Sequence, residues 1–301
     1  MKRDAQTLML NAWKARLVVP AFNIPYLPMI EPVVRALRDT QCFGLIAVAR
    51  PDWEKFEAKS LQTVYEQYQE FKDERVTRLH LDHVPVIDED NQLVDYEQLL
   101  SEAIELGYES VMVDGSRLSL EENIAATKKI VEIAHAKGVP VEAELGAVMG
   151  HGDGPLPSYE ELFTSGMGFT DPDEAKQFVD DSGVDWLSVA VGSVHGALSE
   201  ARRDEKKVAA RLNVERIQKI CGKVDRPLVL HGGSGIQKAY LLQAFKAGIA
   251  KLNIGTAIRQ AYEQGVKTSE KQGVDNVYQT VVELVTEELE IKGSAEVINP
   301  D

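Results

Sequence analysis

The chain has 301 residues, 44% of them hydrophobic and 27% charged, which is enough to bury a full core without disulfide or metal staples. Its formal net charge of −15 argues against a nucleic-acid groove or an anionic membrane surface, since the field of the whole protein would repel both. The two cysteines, Cys42 and Cys221, lack the number and spacing of a disulfide framework or thiolate metal site, and no run approaches the roughly 20 apolar residues of a membrane span. Core-filling cysteines and a cytoplasmic address are therefore expected. Taken in chain order, β-branched and apolar runs lie at 17–23, 45–49, 77–83, 110–115, 139–146, 186–192, 228–232 and 250–255. Between them lie segments of helical period, the clearest at 97–106, 122–136, 173–181, 214–221 and 240–247. Asp171, Pro172 and Glu174 read as a cap, a first-turn proline and a third-position acid, so a helix starts there. No linker rich in Pro, Gly or Ser divides the chain. Eight strand–helix units in this length predict one α/β domain, a (β/α)8 TIM barrel over 1–301, with a doubly wound open sheet as the alternative. An extra C-terminal helical segment at about 275–292 is expected to cover a barrel end or a subunit interface.

The chemistry-bearing residues gather where these strands end. Asp82 and His83 end the third run, Asp114 the fourth, Glu142 and Glu144 the fifth, His231 the seventh and Asn253 the eighth, while His195 follows the sixth. In a barrel the C-terminal rim collects catalytic groups from different strands, so this set implies a metal or acid–base site. Three histidines with a carboxylate suit zinc, and His83, His195 and His231 are the natural trio; iron, cobalt and manganese stay open, whereas magnesium prefers oxygen ligands. His80 shares a strand face with Asp82 and is expected to orient a ligand. His135 reads as a helix C-terminal residue with no catalytic part. Two glycine-rich turns, His231-Gly232-Gly233-Ser234-Gly235 and Asn253-Ile254-Gly255-Thr256, follow the seventh and eighth runs, the usual phosphate site of such a barrel.

These motifs resemble the class II fructose-bisphosphate and tagatose-bisphosphate aldolases. The likeness runs in order through Val19-Pro20-Ala21-Phe22-Asn23, His80-Leu81-Asp82-His83, Val111-Met112-Val113-Asp114-Gly115-Ser116 and Val141-Glu142-Ala143-Glu144-Leu145-Gly146. It continues through Phe169-Thr170-Asp171-Pro172, Val191-Gly192-Ser193-Val194-His195-Gly196 and both glycine-rich turns. The resemblance implies one catalytic zinc on His83, His195 and His231, with Glu144 as a fourth or exchangeable ligand and Asp114 near the metal; a second metal or a monovalent cation is left open. It implies Asp82 as the acid–base residue and a phosphorylated ketose as substrate. The phosphate of dihydroxyacetone phosphate would sit on Gly196, Gly232, Gly233, Ser234, Asn253, Ile254, Gly255 and Thr256, with Asn23 beside it. The reaction expected is carbon–carbon cleavage through a zinc-stabilised enediolate, in a homodimer or homotetramer.

Departures from the family pattern fall on proton transfer and on the aldehyde end. The loop after the fifth strand reads Met149-Gly150-His151-Gly152-Asp153-Gly154, with His151 and Gly152 where acids are usual. His151, Asp153, Glu160 or Glu161 would then replace the lost base. Arg50 stands after the second strand where a serine-containing stretch is common, Arg117 follows Asp-Gly-Ser in place of a histidine, and Val84 replaces a glycine. An altered aldehyde partner held by Arg50 is one consequence. Nothing in the residues separates fructose from tagatose. A metal-dependent sugar-phosphate epimerase or isomerase and a non-catalytic aldolase-like subunit are the alternative functions.

Overall fold

The computed structural model describes residues 3–146, 159–193, 210–233 and 235–300. Eight parallel strands close into a barrel: β1 Val19–Asn23, β2 Gly44–Ala49, β3 Thr77–Pro85, β4 Ser110–Asp114, β5 Val141–Leu145, β6 Trp186–Val189, β7 Leu228–Leu230 and β8 Ile249–Ile254. Each pairs with the next, and β1 pairs with β8, so no open edge remains and the doubly wound alternative is excluded. The strands are buried almost throughout, as expected where helices cover the outside and side chains fill the inside.

The helices are α1 Ala5–Ala15, α2 Ile30–Thr40, α3 Arg50–Glu54, α4 Leu61–Phe71, α5 Tyr96–Leu106, α6 Leu120–His135 and α7 Tyr159–Ser165. They continue with α8 Pro172–Ser182, α9 Val214–Val224, α10 Lys238–Ala247, α11 Thr256–Val266, α12 Glu270–Glu283 and α13 Ser294–Ile298. Caps set several starts. The Asp171 carboxylate accepts from the Asp173 and Glu174 amides at the start of α8, and Ser119 and Glu122 cap α6 reciprocally.

The C-terminal stretch expected at about 275–292 is divided. The helix α12 passes into one wider turn over Leu284–Glu288, and α13 follows. Of these, α12 packs against α2 and α11 on the outside of the barrel, and only α13 reaches the end away from the C-terminal rim, beside α1. Asn11 of α1 donates to the Ile298 carbonyl at 2.9 Å, and the Ser294 hydroxyl accepts from the Phe43 amide just before β2. Cys42 is buried as expected of a core filler, while Cys221 is only partly covered. No helix among the described residues is long and apolar enough to cross a membrane.

Several strands stop short of the expected ends: β6 ends at Val189 and β7 at Leu230, which places His231 in the turn beyond its strand. By contrast β3 runs on to Pro85, because its pairing with β4 slips between Leu81 and Val84.

Candidate active site

The slip in β3 builds the centre of the rim. Successive strand residues face opposite sides, so Asp82 and His83 could not both enter the barrel mouth from a regular strand. At the bulge His83 takes φ +39°, a left-handed conformation uncommon for a residue other than glycine, with a strain cost of about 1–3 kcal/mol. Both side chains then reach site partners. Asn23 donates to Asp82 Oδ2 at 2.8 Å, and Asn253 donates to both carboxylate oxygens at 2.8 Å. Buried this way, Asp82 is held well below the usual carboxylate range. Burial opposes that, and the charge of His83, the nearby His80 imidazole and the Lys251 ammonium outweigh it.

His83 and His231 meet edge to face, with ring centroids 4.4 Å apart and His83 Nε2 2.5 Å from His231 Nδ1. Each ring has its other nitrogen on a carboxylate: His83 Nδ1 lies 3.2 Å from Asp114 Oδ2, and His231 Nε2 2.8 Å from Glu142 Oε1. Burial pushes the His83 imidazole down, but the charge of Asp82 and the bond to Asp114 carry it up to about 10. His231 moves the other way, lowered by burial and by the charge on His83. An ionised Glu142 only accepts, so His231 Nε2 carries the proton that faces it and His231 Nδ1 is the nitrogen turned to His83 Nε2.

The surrounding acids divide into ionised and neutral. Despite burial, the hydrogen bond and charge of His83 hold Asp114 below its ordinary range. Glu142 also resists burial, brought down to about 2 by Lys251 and His231. Glu144 is pushed up to about 8, first by burial and then by the charge of Asp114. Its Oε2 lies 3.9 Å from His83 Nδ1 and has no hydrogen bond among the described residues.

Among the described residues, three groups have ligand atoms close enough to share a metal ion: Asp82, His83 and His231; His83, Asp114 and Glu144; and His80, Asp82 and Glu142. The first two fit an ion by their chemistry. Two imidazole nitrogens converge while their far nitrogens are fixed by carboxylates, the usual arrangement of metal-binding histidine, and Glu144 adds a buried oxygen without a donor. In the third group, Lys251 already supplies a cation, with Nζ 2.8 Å from Glu142 Oε2 and 3.9 Å from Asp82 Oδ1.

The rest of the predicted set distributes around this centre. Asn23 closes β1, Asn253 and Ile254 lie buried near the end of β8, and Gly255 precedes α11, whose first residue is Thr256. Among the described residues no side chain caps α11, which starts directly after the C-terminal end of β8, so its first amides are left for the rim. Gly232 has φ +69°, and a Cβ on Gly233 would come 2.7 Å from Leu252 Cδ1, so the first glycine-rich turn packs directly on β8. His151, His195, Gly196 and Ser234 lie outside the described residues. Arg50 is committed within the chain, its Nε 2.6 Å from Glu54 and its Nη1 3.1 Å from Asp88. Arg117 donates to Asn91 at 3.1 Å, and Glu160 meets Arg211 at 2.6 Å. His80 is buried, with Nδ1 2.9 Å from Ser110 Oγ, and His135 ends α6 against Asp185.

Two buried residues escaped the sequence reading. Lys251 stands two positions before Asn253 and shares its face of β8, a spacing that would have flagged it. Asp52, 8% exposed, folds back to accept from the Ala49 amide, and burial with the charge of Asp82 pushes its carboxyl up to about 7.

Comparison with known proteins agrees with this fold. The sequence model of class-II fructose-bisphosphate aldolase matches residues 3–296. A fructose-bisphosphate aldolase of Staphylococcus aureus strain Mu50 is 40% identical over 166 residues, 55% of this chain and 53% of that protein; strain MW2 carries a match of the same extent. The chain thus spans about half the length of the curated relatives it matches. Among solved structures, the YdjI aldolase of Escherichia coli K12 superposes with a TM-score of 0.74 at 26% identity, covering 98% of this chain and 100% of that one. The fructose-bisphosphate aldolase of Campylobacter jejuni gives a TM-score of 0.73 at 19% identity over 95% of this chain and 94% of its own, a likeness of fold. With a model match over nearly its whole length, the chain belongs to the class-II fructose-bisphosphate aldolase family.

Proposed function

We propose that the chain is a metal-dependent lyase that cleaves a phosphorylated ketose into dihydroxyacetone phosphate and an aldehyde. The observation that carries this reading is the joined pair of sites: convergent nitrogens of His83 and His231 beside Asp82, itself gripped by Asn23 and Asn253. Zinc is the ion proposed, on His83, His195 and His231 with Glu144 as a fourth or exchangeable ligand and Asp114 holding the outer nitrogen of His83. When bound there, it supplies Lewis-acid charge for the oxygen that becomes negative as the carbon–carbon bond breaks.

Asp82 takes the proton from the hydroxyl on the carbon that becomes the aldehyde. Its ionised form is held ready, and its three hydrogen bonds from Asn23 and Asn253 fix the direction of the carboxylate. The proton for the other fragment is assigned to His151. The phosphate is assigned to the turns containing Gly196, Gly232, Gly233, Ser234 and Asn253-Ile254-Gly255-Thr256, where the amides at the start of α11 provide positive potential despite the net charge of −15. Because Arg50 is already paired with Glu54 and Asp88, its contribution at the aldehyde end needs one of those pairs to open. The whole barrel is proposed as one catalytic domain, cytoplasmic, acting as a homodimer or homotetramer.

The test is release of dihydroxyacetone phosphate from fructose and tagatose bisphosphates and from ketose phosphates with acidic aldehyde halves. Zinc-loaded, chelator-stripped and Asp82→Ala proteins are compared. Release by the loaded wild type alone supports the reading. Failure on every substrate, with zinc bound, refutes it in favour of an epimerase, isomerase or non-catalytic subunit.

A further inference from the structure

Beneath the rim lies a charged layer that substrate does not need to touch. Lys251 of β8 and Glu142 of β5 are both fully buried, and Nζ sits 2.8 Å from Glu142 Oε2 without the alignment of a directed hydrogen bond. The other oxygen of Glu142 holds His231 Nε2 at 2.8 Å. His80 stands by, its Nε2 3.7 Å from Glu142 Oε2 and 3.6 Å from Asp82 Oδ1. A lone ammonium at this depth would be expensive, and so would a lone carboxylate, so the pair stands or falls together.

We propose that Lys251 is a positioning residue for metal binding, acting through Glu142 to aim the Nδ1 lone pair of His231 at the ion. This rests on the reading of His83 and His231 as metal ligands. The geometry runs in one direction. The ammonium anchors Oε2, which turns Oε1 onto His231 Nε2, and an anionic oxygen accepts only. Nε2 is therefore the nitrogen that keeps its proton, and Nδ1 faces His83 and the ligand cluster. Were Glu142 free to turn, the imidazole could present an N–H to the ion instead. The contact from Lys251 to Asp82 Oδ1 at 3.9 Å places the same ammonium under the second functional carboxylate.

The experiment is zinc titration of the chelator-stripped full chain in competition with a chromophoric chelator. Wild type, Lys251→Met, Glu142→Gln and the double variant are compared, with visible absorption of the cobalt-loaded forms as a second readout. Each single change should weaken zinc binding by about 10- to 100-fold, and the double should lie within about threefold of the weaker single, because both cut one line of action. Both singles should alter the cobalt spectrum in the same sense. Should Lys251→Met fail to fold by circular dichroism, Lys251→Gln is read by the same rule. Affinity in the lysine variant within about threefold of wild type, or losses that multiply in the double, overturns the proposal. A wild type that binds no zinc refutes instead the metal-site reading on which it rests.

Discussion

Replacing Asp52 by asparagine should stabilise the chelator-stripped protein, and stabilise it more as the pH rises. The carboxyl is 8% exposed and has one hydrogen bond, from the Ala49 amide at 2.8 Å, which is too little to offset its removal from water. Burial and the nearby charge of Asp82 raise it from 3.8 to about 7. The folded protein thus keeps this proton up to about pH 7, whereas the unfolded chain releases it near 3.8. Between those values the folded state binds more protons, so stability contributed at low pH is lost as the pH climbs. The full cost of ionisation is on the order of 4 kcal/mol at about 1.36 kcal/mol per unit. Asparagine keeps an oxygen for the Ala49 amide and cannot ionise. The gap between variant and wild type should therefore widen by on the order of 2–3 kcal/mol from about pH 5 to about pH 8. Urea unfolding of both proteins across that range, with chelator present, measures it. Parallel stability profiles, or an asparagine variant weaker at the higher pH, would show that Asp52 is ionised at no cost.

Three further outcomes follow from the same geometry. Asn253→Ala removes two of the three hydrogen bonds to Asp82 and should lower kcat on the order of 100-fold with little change in melting temperature; Asn23→Ala, which removes one, should lower it less. Chelation should destabilise wild type, since an ion held at 100 times its Kd contributes about 2.7 kcal/mol, and calorimetry with and without zinc reads the difference. Gly192→Ala should cost at least about 2 kcal/mol, because φ is +117° and the added Cβ would lie 2.5 Å from the Arg211 carbonyl; its unfolding midpoint in urea checks this.

Most of the barrel could be read from the sequence because strands buried on both sides appear as unbroken apolar runs, and helices between them keep their own period. The rim residues were legible for the same reason, since a polar side chain at the end of an apolar run marks where a strand leaves the core and opens onto the barrel mouth. What escaped depends on three dimensions. The bulge at His83 leaves no mark, as Asp82-His83-Val84 contains no glycine to announce a positive φ. Arg50 looked free for substrate because its partner Asp88 comes from a turn 38 residues away. Lys251 was hidden inside an apolar run, where a single charge reads as an interruption until Glu142 is placed opposite it. The C-terminal helix was expected as one piece, and its wider turn at Leu284–Glu288 arises from backbone bonding that no side-chain pattern encodes.

The most direct measurement is carbon-13 NMR of a uniformly labelled ketose bisphosphate incubated with the zinc-loaded chain, beside the chelator-stripped chain and Asp82→Ala. The predicted result is label divided between dihydroxyacetone phosphate and an aldehyde phosphate in the loaded wild type only. An intact labelled skeleton, whether epimerised, isomerised or unchanged, with zinc bound at the site and every ketose in the panel tried, would contradict the assignment of carbon–carbon cleavage to these residues.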